Sequence, residues 1–173
     1  MTADSLRPLE YAALRATIRE RGTARLVLVP LIFIAWAGTV IATAAVITVA
    51  LSTLVPLMVL SAGFEAIFAL HTNVERIGRY LQVFHEREGG WEHVAMEYGR
   101  RFPGGQDALF GRLFVIAISL NYVPAALGGT PVELGVLAVL HLAAILRMRL
   151  ARMKALTQRA EELERFQALR AAG

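Results

Sequence analysis

The sequence predicts an all-α integral membrane protein: a four-helix bundle of two helical hairpins, with an N-terminal amphipathic surface helix and cytoplasmic helical extensions. Three observations carry that prediction. The 173-residue chain is 56% apolar and only 18% charged. Residues 26–64 form a run of 39 without one Asp, Glu, Lys or Arg. The 18 basic residues gather in three segments outside the apolar runs. As one helix the uncharged run would extend about 58 Å, against about 30 Å of bilayer hydrocarbon, so it must cross twice. A soluble domain of this length has room for a core, but not for charge so unevenly placed.

The first 25 residues read as an amphipathic helix lying on the membrane surface. Tyr11, Leu14 and Ile18 share a face, while Arg7, Arg15, Arg19 and Arg21 take the others. Gly22-Thr23 offers a break before the first span, residues 26–49. Pro30 then falls in the early turns of that span, where its missing N–H costs least. Ala42 to Ala45 offers small residues for a signal cleavage, but the apolar run is too long for a signal core, so the first span is expected in the mature protein. Leu51-Ser52-Thr53, followed by Pro56, predicts a reversal, and the second span covers residues 55–71. Together these make the first hairpin, 26–71.

Twelve charges lie between Thr72 and Arg112, which places residues 72–111 outside lipid. Val74, Ile77, Leu81 and Phe84 continue the second helix as an amphipathic stalk, ended by Gly89-Gly90. Trp91, Val94, Ala95 and Tyr98 form an apolar stripe on a short helix, with residue types suited to the headgroup zone. A basic turn, Arg100 to Gly105, leads to Asp107 as the cap of a third span, residues 108–127. Thr130-Pro131-Val132-Glu133 combines a Thr N-cap, Pro at the first helical position and a Glu that closes a capping box. The fourth span therefore runs 131–146, completing the second hairpin within 112–146. Residues 147–173 leave it as a basic and then mixed-charge cytoplasmic helix.

Charge sets the orientation. The amino-terminal, middle and carboxy-terminal segments hold five, six and seven basic residues, and the two hairpin turns hold none. With four crossings the three basic segments share a side, which the positive-inside rule makes the cytoplasm. Seventeen of the eighteen basic residues are Arg, a bias expected of a GC-rich bacterial genome. The chain is accordingly expected to be a multi-pass protein of the bacterial inner membrane with both termini cytoplasmic. The net charge of +4 then reads as topology and lipid contact rather than nucleic-acid binding. With no cysteine, disulfides, iron–sulfur clusters and thiolate chemistry are excluded.

Candidate chemistry is sparse. Glu65 is the one acidic residue within a predicted span, and an intramembrane carboxylate must be paired, protonated or hydrated. Asn121 and His141 lie at comparable predicted depth, so the three are expected to form an intramembrane polar cluster. That cluster is either a proton or cation relay or a packing device. His71 with Glu75, and His93 with Glu97, stand at i, i+4 and suit zinc or iron; a salt-bridged stalk with Glu75 opposite Arg79 is the competing reading. Arg147, Arg149, Arg152 and Lys154 follow a span directly and suit anionic lipid headgroups. Gly38, Ala42 and Ala45 share a small-residue face, for internal packing or self-association.

No phosphate loop, dinucleotide fingerprint or nucleophile elbow is present, and Ser52, Ser61 and Ser119 have only His71 and His141 as bases within reach of a span. No catalytic residue and no resident cofactor are therefore expected. The leading reading is a non-catalytic accessory or scaffold protein of an inner-membrane assembly, working as a homo-oligomer or with other membrane subunits. The alternatives are a small oligomeric ion or proton channel built around Glu65, and a membrane metal-binding protein.

Overall fold

The computed structural model describes residues 3–46, 49–102 and 110–172. Every regular element among them is helical: α1 (Ala3–Val46), a 3-10 turn (Ala50–Thr53), α2 (Leu54–Phe84), α3 (Trp91–Arg101), α4 (Gly111–Gly128) and α5 (Pro131–Ala172). By length and composition, the helices α1, α2, α4 and α5 are each long and apolar enough to cross a membrane.

The chain divides into two compact units. One, here the apolar unit, comprises Leu26–Phe68 and Ala108–Arg152; the charged unit comprises Met1–Arg25, Ala69–Asp107 and Met153–Gly173. The division follows charge, since 26 of the 32 charged residues belong to the second.

The core of the apolar unit is read directly from helical periodicity. Leu57, Leu60, Phe64 and Ile67 recur every three or four residues on α2, and Phe114, Ala117 and Ile118 do so on α4. Val29 and Ile32 of α1 and Met148 and Ala151 of α5 close the core. The Phe114 ring meets Phe33 at 5.2 Å and Phe64 edge-on at 5.7 Å, a geometry that aromatic quadrupoles favour. The opposite faces of the same helices are apolar too, with Ile34, Ile41, Met58, Val132 and Leu142 all exposed. In the charged unit, Leu81, Val83 and Ala155 are buried. The Phe166 ring packs edge-on against Tyr80 at 5.8 Å and Phe84 at 6.3 Å.

Several local expectations change. Helix α1 runs through Gly22-Thr23 without a break, and Pro30 sits in its interior rather than near a start. An interior glycine costs only about 1 kcal/mol, and Gly22 lacks the positive φ a helix stop would use; among the described glycines only Gly89 has one. Helix α2 ends at Phe84, short of Gly89-Gly90. Asp107, expected to cap the third span, and the start of that span at residue 108 lie outside the described residues. Helix α4 is described from Gly111, preceded by Phe110 at φ 54, whose ring packs on the core. The capping box at α5 is present: Glu133 Oε2 accepts from the Thr130 N–H at 2.8 Å, and Thr130 Oγ1 accepts from the Glu133 N–H at 3.4 Å.

Candidate functional site

Among the described residues the apolar unit carries a buried polar network centred on Asn121 of α4. Its side chain is almost fully enclosed, at 2% exposure. Asn121 Nδ2 donates to the Thr53 carbonyl at 2.8 Å and lies 3.0 Å from His141 Nε2, while its Oδ1 accepts from Trp36 Nε1 at 3.3 Å. His141 Nδ1 lies 2.7 Å from the Leu137 carbonyl, one turn back on α5. Only a protonated Nδ1 satisfies that carbonyl, so Nε2 is the lone-pair nitrogen and accepts from Asn121. The network thus joins α1, the 3-10 turn, α4 and α5, and each side-chain polar atom in it has a partner. Closed in this way, it fixes the register of the helices.

Glu65 lies elsewhere. Its carboxylate is 44% exposed and pairs with Arg147 Nη2 at 3.0 Å, so the structure brings together Asn121 and His141 but not Glu65. The reason is register. The Asn121–Thr53 hydrogen bond sets the level of the network at the 3-10 turn just before α2, and Glu65 is twelve residues farther along, about 18 Å by helical rise. Arg147, six residues past His141, has the reach to meet it.

In the charged unit the two sequence-selected His/Glu pairs have different fates. His71 Nε2 lies 3.2 Å from Glu75, but Arg159 Nε donates to Glu75 at 2.8 Å, and Arg25 and Arg159 flank the two ring nitrogens at 3.1 and 3.2 Å. Guanidiniums therefore occupy the positions a cation would need. His93 turns to Gln82, with 3.3 Å between Nδ1 and Nε2, whereas Glu97 binds Arg100 and Arg101. These two arginines hold the Glu97 carboxyl below the usual carboxylate range. Among the described residues, no three His, Asp or Glu side chains converge on a point that suits a metal.

Ion pairs between distant segments hold this unit. Glu162 receives Arg76 at 2.7 Å and Arg79 at 2.5 Å, and Arg79 is buried, with 7% exposure. The expected Glu75–Arg79 pair is therefore replaced by Glu75–Arg159 and Glu162–Arg79. Arg15 bridges Glu86 at 2.5 Å and Glu92 at 2.6 Å, and Glu86 also accepts from the Glu92 backbone N–H at the start of α3. Tyr80 donates to Glu10 at 2.8 Å, and Arg170 donates to the Val83 carbonyl. Burial pushes the Glu162 carboxyl up, but the hydrogen bonds and charges of Arg76 and Arg79 outweigh it and leave it below the usual range.

The remaining candidates are surface features. Of the four basic residues selected for headgroup contact, Arg147 is bonded to Glu65, Lys154 is exposed, and Arg149 and Arg152 line a groove with Arg112, which the sequence reading did not select. Gly38, Ala42 and Ala45 are exposed, and among the described residues nothing beyond the local helix backbone lies within 4 Å of a Cβ added at Gly38. The stripe on α3 is likewise uncovered, with Trp91 71%, Val94 54% and Tyr98 59% exposed.

Trp36 and the Thr53 carbonyl were not selected from sequence. An indole in an apolar run reads as bulk, although its N–H always needs an acceptor when buried. No protein-family model, curated protein or solved structure matches the chain.

Proposed function

We propose that the chain is an integral membrane protein that crosses the bilayer four times, with both termini in the cytoplasm, and that it serves as a non-catalytic accessory or scaffold subunit of a bacterial inner-membrane assembly. The observation that carries the membrane part is the inverted surface of the apolar unit, whose helices expose Ile34, Ile41, Met58, Val132 and Leu142. Apolar surface of that extent needs a cover, and a bilayer supplies one on all sides. The scaffold part is supported by the charged unit. Its interior is tied by ion pairs, while α3 presents Trp91 and Tyr98 outward beside Val94, and Trp and Tyr are among the residue types that dominate interface energetics.

Two measurements test this reading. Because the chain has no cysteine, single cysteines report without background. Cysteines at Ser52 and Gly128 are expected to react with an impermeant reagent from outside, and cysteines at Glu88 and Gln167 only after the cytoplasmic face is opened. Labelling of Ser52→Cys from the cytoplasmic face alone overturns the topology. In gentle detergent the protein is expected to migrate as an oligomer or with membrane partners, and Trp91→Ser with Tyr98→Ser is expected to dissociate it while helicity is kept. A wild-type chain that runs only as a monomer overturns the scaffold role.

A further inference from the structure

A groove in the apolar unit combines cations and apolar wall in a way that suits an amphiphile. It lies between the start of α4 and the middle of α5, encloses about 420 Å³, and is lined by Arg112, Arg149 and Arg152 together with Val115, Ile116 and Met148. Among the described residues no acidic side chain lines it and none of the three guanidiniums has a carboxylate partner. Elsewhere on the same helix the arginines are matched, Arg147 by Glu65 and Arg159 by Glu75. Three like charges around one groove repel one another unless they share an anion. Gly111 makes room for one of them, since a Cβ there would come within 3.0 Å of Arg152 Nη1.

An apolar track leads away from this cationic end. Leu113, Ile116, Leu120, Val123 and Leu127 are all exposed on α4 at three- and four-residue spacing, which forms a stripe about 21 Å long. An inorganic anion would use the arginines and leave the stripe bare. We infer that this groove binds a phospholipid of the surrounding bilayer, with the anionic headgroup phosphate held by Arg112, Arg149 and Arg152 and an acyl chain laid along α4. The inference rests on the membrane reading above and adds to it a defined lipid site in place of a diffuse basic belt. Guanidiniums suit this role because their forked N–H groups match phosphate oxygens in pairs.

The test uses the full chain in phosphatidylcholine nanodiscs titrated with fluorescent phosphatidylglycerol. Wild type is expected to enrich phosphatidylglycerol in its lipid shell. Each of Arg112→Gln, Arg149→Gln and Arg152→Gln is expected to weaken that preference about fivefold, the factor for a basic residue near an anionic surface, and the triple variant about a hundredfold. A triple Arg→Lys variant keeps the charge and is expected to retain the preference within tenfold, which separates loss of the site from loss of the fold. Arg165→Gln, farther along α5 and paired with Glu161, is expected to change it less than twofold. The inference is overturned if the triple Gln variant keeps the wild-type preference, if Arg165→Gln costs as much as any groove arginine, or if inorganic phosphate displaces the lipid at equal concentration. A wild-type chain that stays in the bilayer without preferring phosphatidylglycerol sinks the groove alone. A chain stripped from vesicles by alkaline carbonate sinks the membrane reading and the groove with it.

Discussion

Asn121 bonds to Trp36, Thr53 and His141, on three other segments of the chain. Asn121→Ala strands an indole N–H, a carbonyl and a ring nitrogen inside an apolar unit. The expected cost is about 3 kcal/mol, the upper part of the range for orphaned buried polar groups. Ser119 provides the comparison, because its hydroxyl only bonds back to the Val115 carbonyl on an exposed face. Ser119→Ala is expected to change stability by less than about 0.5 kcal/mol. Denaturant unfolding of both variants in the same detergent checks the pair, and equal losses would deny the network its role. That Asn121 and His141 would need partners was legible from one rule: polar groups in apolar helices need them. The same rule selected Glu65 but could not place it, because depth counted along separate helices carries no register. Register comes from the Asn121–Thr53 bond, a side chain reaching a backbone atom 68 residues away, and no local pattern encodes that.

Elements were legible wherever turn chemistry spoke for itself. The Thr130–Glu133 capping box and the reversal at Leu51–Thr53 follow from residues whose preferences are local. Continuity was harder to read, since Gly22 and Pro30 punctuate many chains yet lie inside α1. The close approach between helices also went to a different glycine from the one the small-residue stripe suggested. A Cβ added at Gly63 would fall 2.5, 2.8 and 2.9 Å from three carbons of Ile32, a β-branched side chain with little freedom to retreat. Gly63→Ala is therefore expected to destabilise the protein by about 1–3 kcal/mol through overpacking, whereas Gly38→Ala, facing open space, is neutral or slightly stabilising through its better helix propensity. Thermal melts of the two variants check the contrast. A tolerated Gly63→Ala would show that α1 and α2 are free to separate at this level.

At the scale of the molecule, the division into an apolar and a charged unit was visible in the spacing of charge, but the partners within the charged unit were not. Sequence offers Glu75 with Arg79 at i, i+4; the fold instead pairs Arg79 with Glu162, 83 residues away. Local pairs on a solvated helix contribute a few tenths of a kcal/mol, so a better-enclosed partner from another helix displaces them readily. This pairing makes the unit sensitive to acid. The Glu162 carboxyl lies below its ordinary value in the folded chain, so the unfolded chain binds its proton more tightly. The stability it contributes is then fully present above about pH 4.3, the unfolded value, and is lost as the pH falls through the lower folded one. Arg79, at 7% exposure, depends on that carboxylate far more than Arg76, whose side chain is 59% exposed. Arg79→Ala leaves Glu162 still paired with Arg76 and is expected to cost about 1–3 kcal/mol through the lost buried hydrogen bonds, and Arg76→Ala less than about 1 kcal/mol. Glu162→Gln strands Arg79 and lowers stability at pH 7, yet it removes the titrating group, so its further loss at pH 3.5 is smaller than that of wild type. Hydrogen exchange of the α2 amides between residues 76 and 84, measured at both pH values, reads this locally. An acid-induced loss of protection in Glu162→Gln as large as in wild type would assign the acid sensitivity to other carboxylates.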